Sequence, residues 1–165
     1  MHTATRHPST TWAGIALIVI PLLGVGIKFV FYPGWMLIAM VLTGIILLLA
    51  VGYTLQVVLA ARSMLRPAGV FNRMPGSRRG IAAAWVTSVA FFVTMASLID
   101  GGDGGETGSA ITWLFGNAAW ASDLSGALTV IAALACIASW VWLMIEWIVL
   151  SSRARTLAAQ RAGSL

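Results

Sequence analysis

The chain has 165 residues, 59% of them hydrophobic and 9% charged, with ten basic side chains against five acidic ones and a net charge of +5. A soluble domain carries roughly 25% charged residues, so this composition excludes an ordinary water-soluble fold and predicts an all-α integral membrane protein. The positive charge does not point to nucleic acid, because the arginines lie where apolar runs end and form no patch on a soluble surface.

Residues 1–11 are polar and hold Arg6 and both histidines, His2 and His7. No histidine falls in an apolar run, which excludes a bis-histidine haem inside the spans, and no cofactor or metal is expected. The run 12–31 is long enough to cross about 30 Å of hydrocarbon at about 1.5 Å per residue, and no small-residue cleavage site follows it, so it reads as a retained first helix. Pro21 in its middle predicts a kink, since proline removes one backbone hydrogen bond and crowds the preceding turn. The stretch Tyr32-Pro33-Gly34-Trp35 reads as a tight turn, which makes the second helix, 35–61, an antiparallel neighbour of the first. That helix would be about 40 Å long at about 1.5 Å per residue, more than the hydrocarbon requires, so it should tilt or extend beyond it.

The segment 62–79 carries Arg62, Arg66, Arg73, Arg78 and Arg79 and no acidic residue. Its prolines and glycines predict an irregular loop with at most a short interfacial helix, and its arginines should attract anionic lipid at about 1 kcal/mol each. In the third helix, 80–99, Ala83, Thr87, Ala90, Thr94 and Ser97 form a stripe of small and hydroxylated residues that should face the bundle. The link 100–123 opens with Asp100, Asp103 and Glu106 among glycines. Without the ligand spacing of a calcium loop, it reads as a solvated linker. Within it, 109–120 is too short to span, and Ile111, Leu114, Phe115 and Ala118 share one helical face, as in a helix lying on the membrane surface. The fourth helix, 124–150, leads to the tail 151–165 with Arg153, Arg155 and Arg161.

Four spans in two hairpins place both termini and the basic connector on one side. That side holds nine of the ten basic residues and the other only Lys28. The positive-inside rule then predicts that both termini are cytoplasmic, in the plasma membrane of a bacterium if the excess of arginine over lysine is a guide.

Ionisable side chains within spans are candidates for function. Lys28, three residues before the end of the first helix, should snorkel toward the outer surface, near Asp100 or Asp123. Glu146 shares a face of the fourth helix with Ala132, Ala135, Ser139 and Trp142, which should turn it into the bundle close to the cytoplasmic end. Gln56 lies at a similar depth and Arg62 and Arg79 just beyond, so an ion pair between Glu146 and one of these arginines is expected. Cys136 has no second cysteine to pair with and reads as a small packing residue. Trp140, Trp142 and Trp147 read as packing and interface anchors rather than a cage for a cation. No Ser/His/Asp set, metal cluster or phosphate loop is present, so an enzyme is not expected.

In size and in its lone intramembrane glutamate the chain is similar to the small four-helix multidrug transporters. Those carry the glutamate in the first helix and have minimal loops, whereas here it lies in the fourth and the connector is 18 residues long. Two functions follow as expectations. The favoured one is a structural or accessory subunit of a membrane complex or homo-oligomer; the other is a small oligomeric transporter or channel using Glu146 as a proton or cation site.

Overall fold

The fold, from a computed structural model that describes residues 8–31, 34–74, 76–101, 107–116 and 118–162, contains four helices long and apolar enough to cross a membrane. The elements in order are α1 (Pro8–Phe31), α2 (Met36–Leu42), α3 (Ile45–Leu59) continued by a π-helical turn Ala60–Met64, α4 (Val70–Arg73) and α5 (Arg78–Ser97). After these come β1 (Asp100–Gly101), β2 (Thr107–Gly108), α6 (Ala110–Leu114) and α7 (Ala119–Ala162). Arg6, the two histidines, Tyr32, Pro33, Asp103 and Glu106 lie outside the described residues.

The small-residue stripe explains why α5 is central. Ala83, Thr87, Ala90 and Ser97 are buried as expected, together with Ala84 and Ser88, and α5 packs along both α1 and α7. Side chains this short let backbones approach, and the hydroxyls bond across the gap: Thr87 Oγ1 donates to Ser139 Oγ at 2.9 Å, joining α5 to α7. By contrast only 17% of the apolar window of α3 and its π turn is buried, against 39% for α5. α3 leans on α1 and makes few contacts with α5 or α7.

Four expectations need correction. The second span is not one helix: Gly44 adopts φ +72°, a left-handed conformation that stops α2 and caps α3, and the span then runs on as a π turn to Met64. The segment 109–120 is not one surface helix either. Ser109 and Thr112 form a capping box that starts α6, but Gly116 at φ +71° ends it and α7 begins at Ala119. The tail is not separate from the fourth helix, because α7 continues without a break to Ala162. Finally, the ends of the acidic link pair as an antiparallel two-stranded ladder, with Asp100 opposite Gly108 and Asp100 itself buried.

The basic connector is irregular with one short helix, as expected, yet it is not merely a surface loop. Phe71 of α4 is 1% exposed and belongs to the core, with Leu59, Met64, Leu143 and Leu150. Gly80 at the start of α5 makes room for it, since a Cβ there would fall 2.2 Å from the Phe71 ring. Asn72 Nδ2 donates to the carbonyls of Met64 and Arg66, both at 2.9 Å, and so closes the end of the π turn. Phe71 is buried, while Arg62, Arg66, Arg73, Arg78 and Arg79 are all exposed.

Candidate functional site

Two polar loci lie between the apolar helices, and the first follows from Pro21. α1 runs through Pro21 without interruption, but proline has no N–H to give the carbonyl four residues back, which belongs to Leu17. Leu17 is fully buried, so its carbonyl needs another donor. Gln56 of α3 supplies it: Nε2 donates to Leu17 O at 2.6 Å, and one turn away Tyr53 OH donates to Ile18 O at 2.8 Å. A carbonyl only accepts, so the amide must present its nitrogen. Gln56 is therefore committed to the proline-broken turn of α1.

At the far end of α1, Lys28 Nζ donates to Leu98 O at 2.8 Å and lies 3.6 Å from Asp100 Oδ2. This is the one ion pair among the described residues, and it resolves the choice of acidic neighbour in favour of Asp100. The same carboxylate accepts from Met36 N at 3.1 Å, at the start of α2, and from Gly101 N at 2.9 Å, while Trp35 N donates to Gly101 O at 3.0 Å. Asp100 thus ties together α1, the start of α2 and the residues after α5. Gly34 must lie against it without a side chain, since a Cβ there would meet the carboxylate at 2.3 Å.

Beside this pair a buried hydroxyl network joins α5, α6 and α7. Ser125 Oγ donates to Ser97 O at 2.7 Å and is 2.6 Å from Ser109 Oγ, and Thr129 Oγ1 donates to Ser97 Oγ at 3.0 Å. Serine and threonine at the start of α7 gave no sequence signal beyond polarity, because their partners are set by the return of the link 100–123.

The second locus is Glu146. The buried residues of α7 are Ala121, Ser125, Ala132, Leu143 and Leu150, a face that lies about 20° to 60° around the helix from Glu146, all to one side of it. Glu146 is consequently half-buried at the margin of the packed face, and Trp142, expected inside, is exposed. No described residue forms an ion pair or hydrogen bond with its carboxylate, so the expected pair with Arg62 or Arg79 is not made. Both arginines are exposed. Cys136 is half-buried and lies 3.7 Å from Thr87 O, consistent with a packing role.

Between α3 and the α1–α5–α7 core lies a groove of about 800 Å³. Its walls are apolar, with Lys28 and Asp100 at one end and Tyr53 and Gln56 at the other. The chain is thus a helical protein with four candidate membrane-spanning helices, a polar clasp at Lys28–Asp100 and a lone carboxylate at Glu146. Comparison with family models, curated proteins and solved structures finds no significant match.

Proposed function

We propose that the chain is a small accessory subunit of a bacterial plasma-membrane complex, crossing the bilayer four times and meeting either a different membrane protein or a second copy of itself. The observation that carries this reading is Glu146. An ionisable group within an apolar helix costs several kcal/mol unless it is paired, and such groups normally find a partner within the membrane. Glu146 has none within the described chain, so a cation supplied by a neighbouring subunit is the natural complement. The expected result is a second polypeptide, or a second copy, held at fixed stoichiometry when the protein is extracted in mild detergent.

A second reading rests on the same carboxylate: an unpaired Glu146 is also free to exchange a proton or bind a cation in a small oligomeric transporter. pH-dependent flux into liposomes by the pure protein, abolished by Glu146→Gln, would favour it over the subunit role. Neither reading uses covalent chemistry, and we propose no enzymatic activity.

The proposed orientation has both termini and the connector in the cytoplasm. Its support is the arginine asymmetry together with the exposure of all five connector arginines, which suits them to anionic headgroups. Single cysteines at Ser77 and Thr107, in a Cys136→Ala background, test it with a membrane-impermeant thiol reagent on intact cells. Labelling at Thr107 and not at Ser77 is expected, and the reverse pattern would overturn the topology.

A further inference from the structure

We infer that the groove between α3 and the α1–α5–α7 core is a binding site for one acyl chain of a membrane phospholipid, its ester end at Lys28–Asp100. This inference goes beyond the subunit reading and does not depend on any protein partner. Four features support it. First, the groove is lined almost wholly by apolar side chains, and the polar Tyr53 and Gln56 at its inner end each donate a hydrogen bond to a carbonyl of α1, those of Ile18 and Leu17. Second, its volume of about 800 Å³ lies within the roughly 300–1,000 Å³ typical of small-molecule sites.

Third, its length fits one leaflet. On α1 the Lys28 clasp and the Gln56 contact at Leu17 are eleven residues apart, about 16 Å at about 1.5 Å per residue, close to half of the ~30 Å hydrocarbon core. Fourth, the polar end suits an ester rather than a free anion. The Lys28–Asp100 pair has no net charge, yet an ammonium has three donors and only Leu98 O accepts from it at hydrogen-bond distance, with Asp100 Oδ2 at 3.6 Å, so N–H remains for an acceptor oxygen. Met40 and Met95 in the walls provide flexible, polarizable surface that adapts to a chain without fixed shape. The break at Gly44 and the sparse contact of α3 with α5 and α7 account for the opening itself.

The test uses the full-length protein in phosphatidylcholine vesicles containing a phosphatidylcholine with a photoreactive diazirine at mid-chain. Labelling is expected to concentrate on Met40, Tyr53 and Met95 above the level at Leu47 and Leu134, which are exposed outside the groove. Gly52 lines the groove, and a Cβ there meets nothing within 4 Å, so Gly52→Phe places a ring in the groove from an unobstructed Cβ. It should abolish groove labelling while leaving Leu47 and Leu134 labelled. Gly126→Phe, also in open space but outside the groove, should leave the pattern unchanged. If Gly52→Phe fails to fold, Gly52→Leu takes its place with the same expected loss. Uniform labelling of the wild type, or groove labelling that survives Gly52→Phe, would overturn the inference. Cross-linked dimers through α3 in place of lipid adducts would assign the groove to a second copy and would also overturn it.

Discussion

Phe71→Ala is expected to destabilise the protein by about 3–5 kcal/mol, the range for truncating a fully buried aromatic side chain. It belongs to one core cluster with Leu59 of α3, Ala83 and Ala84 of α5 and Leu143 and Leu150 of α7, so the void would open in a core that four chain segments share. Gly80→Leu should act similarly from the other side, because its side chain would need the space the ring occupies. Phe71→Leu keeps most of the volume and should cost less than either. Thermal unfolding of the detergent-purified variants measures all three. Near-wild-type stability of Phe71→Ala would mean that the connector is a loose loop and that its arginines are positioned by nothing.

The second large effect concerns Gln56. A hydrogen bond between membrane helices contributes about 0.6 kcal/mol on average, but a buried carbonyl left with no donor costs about 1–3 kcal/mol. Leu17 O is of the second kind, because Pro21 removes the only backbone alternative. Gln56→Leu should therefore cost about 1–3 kcal/mol in the wild-type chain. In a Pro21→Ala background the new backbone N–H reaches Leu17 O, and the same substitution should cost clearly less. That non-additivity is the signature to measure in a double-mutant cycle. Equal costs in the two backgrounds would show that the glutamine does not compensate for the proline.

The parts of the fold that were legible in the sequence are those fixed by local periodicity. The four apolar runs and the small-residue face of α5 depend on residues whose spacing along one helix decides their side. What could not be read depends on contacts between distant segments. Gly44 is one glycine among many in apolar runs, and nothing local marks it as the one at φ +72°. Asp100 looked solvated among glycines because its buried partners, Lys28 and Met36 N, are remote in the chain. For Glu146 the small residues of α7 indicated a face, but the larger Leu143 and Leu150 are the ones that enter the core, in a cluster with Phe71, itself in a segment whose composition reads as a loop. The Pro21–Gln56 relation was the recoverable omission: a mid-helix proline leaves a carbonyl unpaired, and Gln56 and Tyr53 are the side chains of the neighbouring span best suited to reach one.

The lone carboxylate is the centre of the functional account. Glu146→Gln removes its charge while keeping its shape, and no bond within the described residues is lost, so the isolated chain should be at least as stable as wild type. The decisive measurement is the mass of the particle extracted from its native membrane in mild detergent, for wild type and for Glu146→Gln. The account predicts a wild-type particle containing a second polypeptide or second copy at fixed stoichiometry, and a Glu146→Gln protein that is folded but has lost it. A wild-type monomer, or a complex indifferent to Glu146→Gln, would contradict it.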